Sequence, residues 1–437
     1  MKKDTVQSAA TKKEKKGTIQ NVGAELRDRG MVQDEAGGVI EEFLAHKRKV
    51  YLGMDPTADS LHVGHLVPIM LMRHLANAGH ELLFIIGGGT GMIGDPRQSG
   101  ERVLLDLKTV AQNKKALNVQ LARILGGKKF RIIDNYAWLS KLTIIEFLRD
   151  IGKHFTVNQL LKREIIKKRI EVEEDPISYT EFSYSLLQGY DFLYLHQKFG
   201  IDMQIGGSDQ WANILSGIDL IRRKAGKTAY ALTTPIITDK KTGKKFGKSE
   251  GNAVWLDPKK TSSYIFYQFW LNVSDEGVED YLKIFTFLPL IEISNIVAIH
   301  KENPNERIAQ RRLAHEVTKM IHGESAARSA ALVSGVLFGE GVVSMLTKTD
   351  LTYLLKEVPM TKIEEGTAII DVLVALELAA SKGEARRLIE QKGVSLNETL
   401  VSDVRRSLAA ADFLHGIAQI RRGKKIALVS LAASSKK

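Results

Sequence analysis

The chain has 437 residues, 44% of them hydrophobic and 26% charged, and a formal net charge of +12. At roughly 100–200 residues per domain, that length predicts several domains with ample core. The absence of Cys excludes a disulfide framework, thiolate chemistry and a Cys-ligated zinc. No apolar run approaches the ~18 residues that a membrane span needs, and the start "MKKDTVQSAATKKEKKGTIQ" lacks the apolar core of a secretion signal.

Residues 1–20 read as a solvated, Lys-rich tail. From 21 to 256, strand-like runs alternate with helical patterns. "KVYLGM" predicts a strand, and "VGHLVPIMLMRHLANAG" a helix closed by Gly79. "ELLFIIG" is the next strand, followed by the glycine cluster "GGGTGMIGDP"; "KFRIIDN" is another. Strands separated by helices imply βαβ units and a parallel sheet, an α/β, Rossmann-like domain. Such sheets bind ligands at the carboxyl ends of strands, where the strand order reverses. Residues 257–338 predict a helical domain, with "NERIAQRRLAHEVTKMIHG" an amphipathic helix ending at Gly323. Residues 339–366 read as a linker.

Residues 367–437 predict a small α+β domain. Ser381 and Glu384 have capping-box spacing. The helix "KGEARRLIEQK" stops at Gly393, a natural C′ residue, and "VSLN" makes a strand and turn. Lys382, Arg386 and Arg387 give this helix a cationic outer surface. The basic excess is concentrated at the two ends. Residues 1–16 carry six Lys against two acids, and residues 362–437 thirteen Lys or Arg against nine acids. Such ends point to a polyanion partner.

Two stretches carry chemistry. In "YLGMDPTADSLHVGHL", His62 and His65 stand either side of Gly64 at a strand-to-helix junction. A helix N-terminus offers N–H groups and a positive dipole end, both suited to phosphate. Two imidazoles a turn apart can donate to charge building on a phosphate. A metal site is the competing use, but no third ligand lies nearby and the spacing is i,i+3, so nucleotide binding is the better reading. In "KKFGKS", Lys245 and Lys248 bracket Phe246 and Gly247. Lysines on such a loop can close over a polyphosphate and stabilise leaving pyrophosphate. The spacing is not that of a Walker loop.

Together, "HVGH" and "KFGKS" resemble the paired signatures of class I aminoacyl-tRNA synthetases. "GGGTGMIGDP", "TEFSYSLLQGYDFLYL", "GGSDQWANI" and "KFGKSEGNAVWLD" narrow the resemblance to the bacterial-type tyrosyl-tRNA synthetases. It extends over nearly the whole chain after about residue 20, and the final basic unit resembles an S4 RNA-binding domain. The resemblance implies a tyrosine–tRNA ligase that forms tyrosyl-adenylate from L-tyrosine and ATP and passes tyrosine to tRNA(Tyr). It also implies Mg²⁺ on the ATP phosphates, a homodimer and a cytoplasmic location.

The same resemblance assigns residues. Thr57 and His62 would contact the departing γ-phosphate region. Gly53, Asp55, Gly64 and His65 would sit against ATP, and Gly207 and Asp209 would hold the ribose. Lys245 and Lys248 would close on pyrophosphate, with Arg102 a further basic residue near it. Tyr51 and Asp191 match the pair that meets the phenolic hydroxyl of tyrosine. Asp95, Tyr184 and Gln188 match the ammonium-binding trio, and Gln210 lies near the carboxyl. Tyr184, Gln188 and Asp191 fall on one helix face at i, i+4 and i+7. Lys382, Arg386 and Arg387 would meet RNA phosphates, and the helical domain would approach the anticodon. Leu52 and Met54 depart from residues common in the family, which should tune affinity and not abolish function. A tryptophanyl-type relative shares the fold, but an indole N–H would need only one acceptor and not the Tyr51/Asp191 pair. An RNA-binding protein that has lost activation fits poorly with so complete a set.

Overall fold

The computed structural model describes residues 22–96, 106–161, 163–171, 176–243, 246, 248–249, 252–338, 341, 343–357, 360–423 and 425–432. The Lys-rich tail, Arg102 and Lys245 lie outside the described residues. The chain divides into two compact units. One holds the residues through Ala253 together with Asp280–Leu290; the other holds Val254–Glu279 and the residues from Ile291 on.

The first unit is built on six strands: β1 (Asp34–Ala36), β2 (Lys49–Met54), β3 (Glu81–Ile86), β4 (Phe130–Asp134), β5 (Met203–Gly207) and β6 (Tyr230–Thr234). Their order is β1-β6-β5-β2-β3-β4. Strands β2 to β6 run parallel and β1 is antiparallel to β6. The chain lays β3 and β4 to one side of β2, then returns to place β5 and β6 on the other. The order therefore reverses between β2 and β5, and their carboxyl ends, Gly53–Met54 and Gly206–Gly207, flank the crevice where such sheets bind ligands. Val50, Leu52 and Phe84 on one face and Tyr51, Leu83 and Ile85 on the other are all buried, as expected for strands covered on both faces. The four sequence-predicted strands and helices here end within a residue or so of expectation. Gly79 closes the Leu66–Ala78 helix at φ 98°, a left-handed conformation that glycine adopts without strain. Two short strands, β7 (Lys248–Ser249) and β8 (Asn252–Ala253), pair antiparallel.

The expected border at Asp257 lies close to the change of unit at Val254, with one exception. Asp280–Leu290 packs with the first unit. The Arg29 guanidinium, itself buried, donates to the carbonyls of Lys283 (3.1 Å), Thr286 (3.4 Å) and Leu288 (2.9 Å). The Phe287 ring packs at a tilt against His74, centroids 4.7 Å apart, and lies under the Arg73 guanidinium. These partners are some 250 positions away in sequence, and no local pattern announces them.

The second unit contains the helices Ser263–Leu271, Ile308–His322 and Glu324–Phe338. It also contains a sheet of β9 (Thr361–Ile363), β10 (Val394–Leu396), β11 (Thr399–Leu400), β12 (Ile417–Arg422) and β13 (Lys425–Leu431), ordered β11-β10-β12-β13-β9. The stretch expected as a linker is partly ordered structure. Lys348–Glu357 is a helix, and β9 pairs in parallel with β13. Leu346, Leu351 and Leu354 pack with Val333, Val336, Ile417 and Leu428.

The helix Lys382–Glu390 forms as expected, but its caps differ in detail. The Ser381 hydroxyl accepts from Glu384 N at 3.2 Å, whereas the Glu384 carboxylate reaches back to Ala380 N at 2.7 Å, one residue before the cap. At the other end the left-handed residue is Lys392, at φ 58°, and not Gly393. Gly393 instead brings its N–H to Leu388 O at 2.8 Å, so the turn closes one residue earlier than the glycine implied.

Candidate active site

The strand-to-helix junction after β2 is a compact turn. His62 caps the turn Val63–His65: its Nδ1 accepts from Gly64 N at 3.1 Å, while His65 Nδ1 accepts from His62 N at 3.1 Å. With Nδ1 of each neutral ring used as an acceptor, the ring proton sits on Nε2, so each ring carries an N–H donor. The ring centroids are 3.9 Å apart. A Cβ at Gly64 would come within 2.9 Å of the His62 ring, so glycine is required for this packing. The same hypothetical Cβ would lie 3.9 Å from the Phe246 carbonyl, which puts the backbone of the lysine loop beside the histidine turn. Phe246 anchors that loop, with its ring 4.5 Å from Tyr281 and its N–H bonded to Ile237 O at 2.8 Å. Of Lys248 only the backbone, in β7, is described.

Four further expected residues ring the carboxyl ends of β2 and β5. Gly53 has open space before its Cα, room for a ligand to approach the strand end. Thr57 lies exposed in the turn after β2, its N–H bonded to Asp55 O at 2.8 Å. At the end of β5, a Cβ on Gly207 would strike Asp209 Oδ1 at 2.6 Å, and Asp209 is exposed.

The Tyr179–Phe199 helix carries Tyr184, Gln188 and Asp191, and the expected face is realised. Tyr184 and Asp191 are buried, and Gln188 is half-buried. Tyr184 Oη donates to Asp55 Oδ2 at 3.0 Å. Burial, then the Asp55 and Asp95 charges, hold that phenol well above the usual tyrosine range. Asp55 therefore ties the residues just after β2 to the Tyr179–Phe199 helix. Asp95 Oδ2 accepts from Gln210 Nε2 at 2.8 Å, and Asp95 Oδ1 from Asn213 Nδ2 at 3.2 Å.

Asp191 sits deepest. Its Oδ2 accepts from Asn135 Nδ2 at 2.8 Å and its Oδ1 from Trp138 Nε1 at 2.8 Å. Burial pushes its carboxyl up from 3.8 to about 7, while the Asn135 and Trp138 bonds pull it down. Tyr51 Oη is fully buried without a hydrogen-bond partner, and burial together with the Asp191 charge raises it well above its ordinary value. A buried polar atom left unpaired carries a desolvation penalty. A hydroxyl and a carboxylate held together in this way are suited to a ligand that both donates and accepts one hydrogen bond, as a phenol does.

Sequence reasoning missed the residues behind these groups. Asn135 Nδ2 also reaches Thr90 Oγ1 at 3.0 Å, and Thr90 Oγ1 donates to Asp55 Oδ1 at 2.9 Å. A chain of hydrogen bonds thus links the two ends of the pocket. Asn135 follows the carboxyl end of β4, so the rule of ligands at strand ends could have found it. Thr90 stands in the glycine cluster "GGGTGMIGDP", which assigned it no role, and Trp138 had no comparable signal.

Residues 45–339 match the family described as tRNA synthetases class I (W and Y). Residues 350–429 match the tyrosine–tRNA ligase SYY-like C-terminal domain. A tyrosine–tRNA ligase of Bacteroides fragilis is 46% identical over 93% of this chain and 98% of its own length. One of Porphyromonas gingivalis is 45% identical over 90% of this chain and 95% of its own. Among solved structures, a C-terminally truncated mitochondrial tyrosyl-tRNA synthetase of Aspergillus nidulans aligns with TM-score 0.65 and 31% identity, covering 75% of this chain and 96% of that one.

Proposed function

The chain belongs to the class I tRNA synthetases of the tryptophan and tyrosine kind, and we propose that it is a tyrosine–tRNA ligase using the residues above. The observation that carries this reading is the buried Asp191 beside the unpartnered Tyr51 hydroxyl. The phenolic O–H of tyrosine donates to Asp191 and its oxygen accepts from Tyr51. Phenylalanine would leave both groups buried and unpaired, which is the physical basis for rejecting it.

The ammonium of tyrosine goes to Asp95, Tyr184 and Gln188, with Gln210 near its carboxylate. A carboxylate oxygen then attacks the α-phosphorus of ATP. The bond from that phosphorus to the bridging oxygen breaks, and pyrophosphate departs with the electron pair. No side-chain nucleophile is needed, so the protein supplies position and charge stabilisation. Thr57, His62 and His65 donate to the phosphate charge, Gly53, Asp55 and Gly64 line the ATP site, and Lys245 and Lys248 close on pyrophosphate. Gly207 and Asp209 hold the ribose. Mg²⁺ enters with ATP as its complex, shielding the phosphate oxygens. A hydroxyl of the tRNA's terminal ribose then attacks the adenylate carbonyl, and AMP leaves.

The remaining assignments are the helical segment toward the anticodon, the unit from about residue 367 toward tRNA, a homodimer and a cytoplasmic location. Ile144, Ile145, Leu148 and Val157 of the first unit are 46–66% exposed, a surface that a second copy would cover. Among the described residues, no helix is long and apolar enough to cross a membrane.

The test is amino-acid-dependent ATP–pyrophosphate exchange without tRNA, over all twenty amino acids, with Asp191→Ala alongside. Exchange with tyrosine alone is expected, and the variant should lose its preference for tyrosine over phenylalanine while remaining folded. Exchange with tryptophan would overturn the pocket assignment; unaltered selectivity in the variant would remove Asp191 from it.

A further inference from the structure

Arg163 lies 50 residues from its partner Asn213 in sequence and carried no motif. Its Nη1 donates to Asn213 Oδ1 at 2.8 Å and its Nη2 to Ser216 Oγ at 2.5 Å. This fixes which way the Asn213 amide faces. With its oxygen held by the guanidinium, its NH₂ points to Asp95 Oδ1 at 3.2 Å and Gln210 Oε1 at 3.3 Å. Gln210, so oriented, donates its own Nε2 to the other Asp95 oxygen at 2.8 Å. Burial lowers the Arg163 guanidinium to about 10, and the Asp95 charge opposes that shift, so the two charges interact across Asn213.

We propose that Arg163 is a positioning residue for the amino-acid end of the tyrosine site, acting through Asn213 to set Asp95 and Gln210. The proposal rests on the reading of Asp95 and Gln210 given above. An amide has two nearly isosteric orientations. Turned the other way, Asn213 would direct its carbonyl oxygen at the Asp95 carboxylate and at the Gln210 oxygen, a repulsive arrangement. A cationic donor that accepts from nothing removes that second orientation, because Arg can only donate. Preorganisation of this kind is most valuable where a half-buried carboxylate such as Asp95 must receive a charged ammonium. Arg163 also lines a cavity of about 230 Å³ together with Ser216, Gln159 and Leu215, so a substitution there has room to relax.

The experiment compares wild type with Arg163→Met, Arg163→Lys, Asn213→Ala, Ser216→Ala and Asp95→Asn in tyrosine-dependent pyrophosphate exchange. It adds inhibition by 3-(4-hydroxyphenyl)propionate, which keeps the phenol and carboxylate but lacks the ammonium. Arg163→Met should raise the tyrosine KM by about tenfold or more, the size expected for a lost charge-assisted hydrogen bond. Its ATP KM and its tyrosine-over-phenylalanine ratio should stay as in wild type, and the loss of affinity for the propionate should be much smaller. Arg163→Lys should recover part of the effect, and Ser216→Ala should leave the tyrosine KM unchanged. Should Arg163→Met fail to fold, Asn213→Ala gives the same readout from the other end of the relay. An equal loss for tyrosine and the propionate, or a parallel rise in the ATP KM, would mark Arg163 as a general brace and overturn the proposal. A normal tyrosine KM in Arg163→Met beside a raised one in Asp95→Asn would overturn the relay and leave the site reading standing. A normal KM in Asp95→Asn would bring down the site reading, and the relay with it.

Discussion

At the scale of the residue, Asp191 decides most. Both of its oxygens accept N–H donors, from Asn135 and Trp138. A proton on either oxygen weakens its bond to one of these donors and removes the ionised acceptor that a phenol prefers. The folded carboxyl, at about 7, lies above its ordinary value of 3.8. The folded state therefore holds a proton that the unfolded chain releases between those values, and this group's contribution to stability falls as pH rises through that window. On the proposed reading function runs the opposite way, because the phenol of tyrosine would donate to the ionised form. The kcat/KM for tyrosine should drop as pH falls below about 7. In Trp138→Phe, one bond that stabilises the carboxylate is gone, so the acidic limb should move to higher pH. A bond worth about 1.5 kcal/mol shifts it by about one unit. An unmoved limb in the variant would mean that Asp191 does not govern it. Tyr51 and Asp191 were legible in the sequence through motif resemblance. Asn135 and Trp138 were not, because their role exists only when the end of β4 is brought against the Tyr179–Phe199 helix.

At the scale of the element, that helix is placed by a buried ion pair. Arg169 Nη1 donates to Glu181 Oε1 at 2.9 Å and Arg169 Nη2 to Pro176 O at 2.6 Å. The two side chains are 1% and 2% exposed. Glu181 also lies in the first turn, where the helix dipole favours a carboxylate. Removing one partner leaves an uncompensated buried charge. Arg169→Met is therefore expected to lower stability by about 3–5 kcal/mol, and Arg169→Met with Glu181→Leu by clearly less. Chemical denaturation of both variants measures this. Equal losses in the single and double variants would show that the pair's charges are not what matters. The elements themselves were largely readable: strand β2, the helix closed by Gly79 and the helix ending at Gly323 all follow local patterns. The cap at Lys392 was not, since a glycine next to a left-handed position looks the same in sequence as one occupying it.

At the scale of the whole molecule, tRNA engagement is the prediction to test. Lys382 pairs with Asp371 at 2.7 Å, so part of its charge is already matched. Arg386 and Arg387, both exposed on the same helix, are expected to contribute more to phosphate binding. Arg386→Glu with Arg387→Glu should weaken tRNA affinity and flatten its salt dependence by about one logarithmic unit of slope per lost phosphate contact. Tyrosyl-adenylate formation should be unaffected. Titrations at several salt concentrations check this, and an unchanged slope would take these arginines out of the RNA surface.

The sequence by itself determined the α/β class, strands β2, β3 and β4 with the helix between the first two, the histidine turn and the helix face carrying Tyr184, Gln188 and Asp191. These follow from periodicity, glycine placement and motif spacing, all of which act over a few residues. Only the tertiary structure decided that Asp280–Leu290 joins the first unit, that the expected linker supplies a helix and strand β9, and that Asn135, Trp138, Thr90, Arg163 and Asn213 stand behind the site. Each of those rests on contacts between residues distant in the chain. Such contacts form only when burial brings whole elements together, so they leave no local pattern.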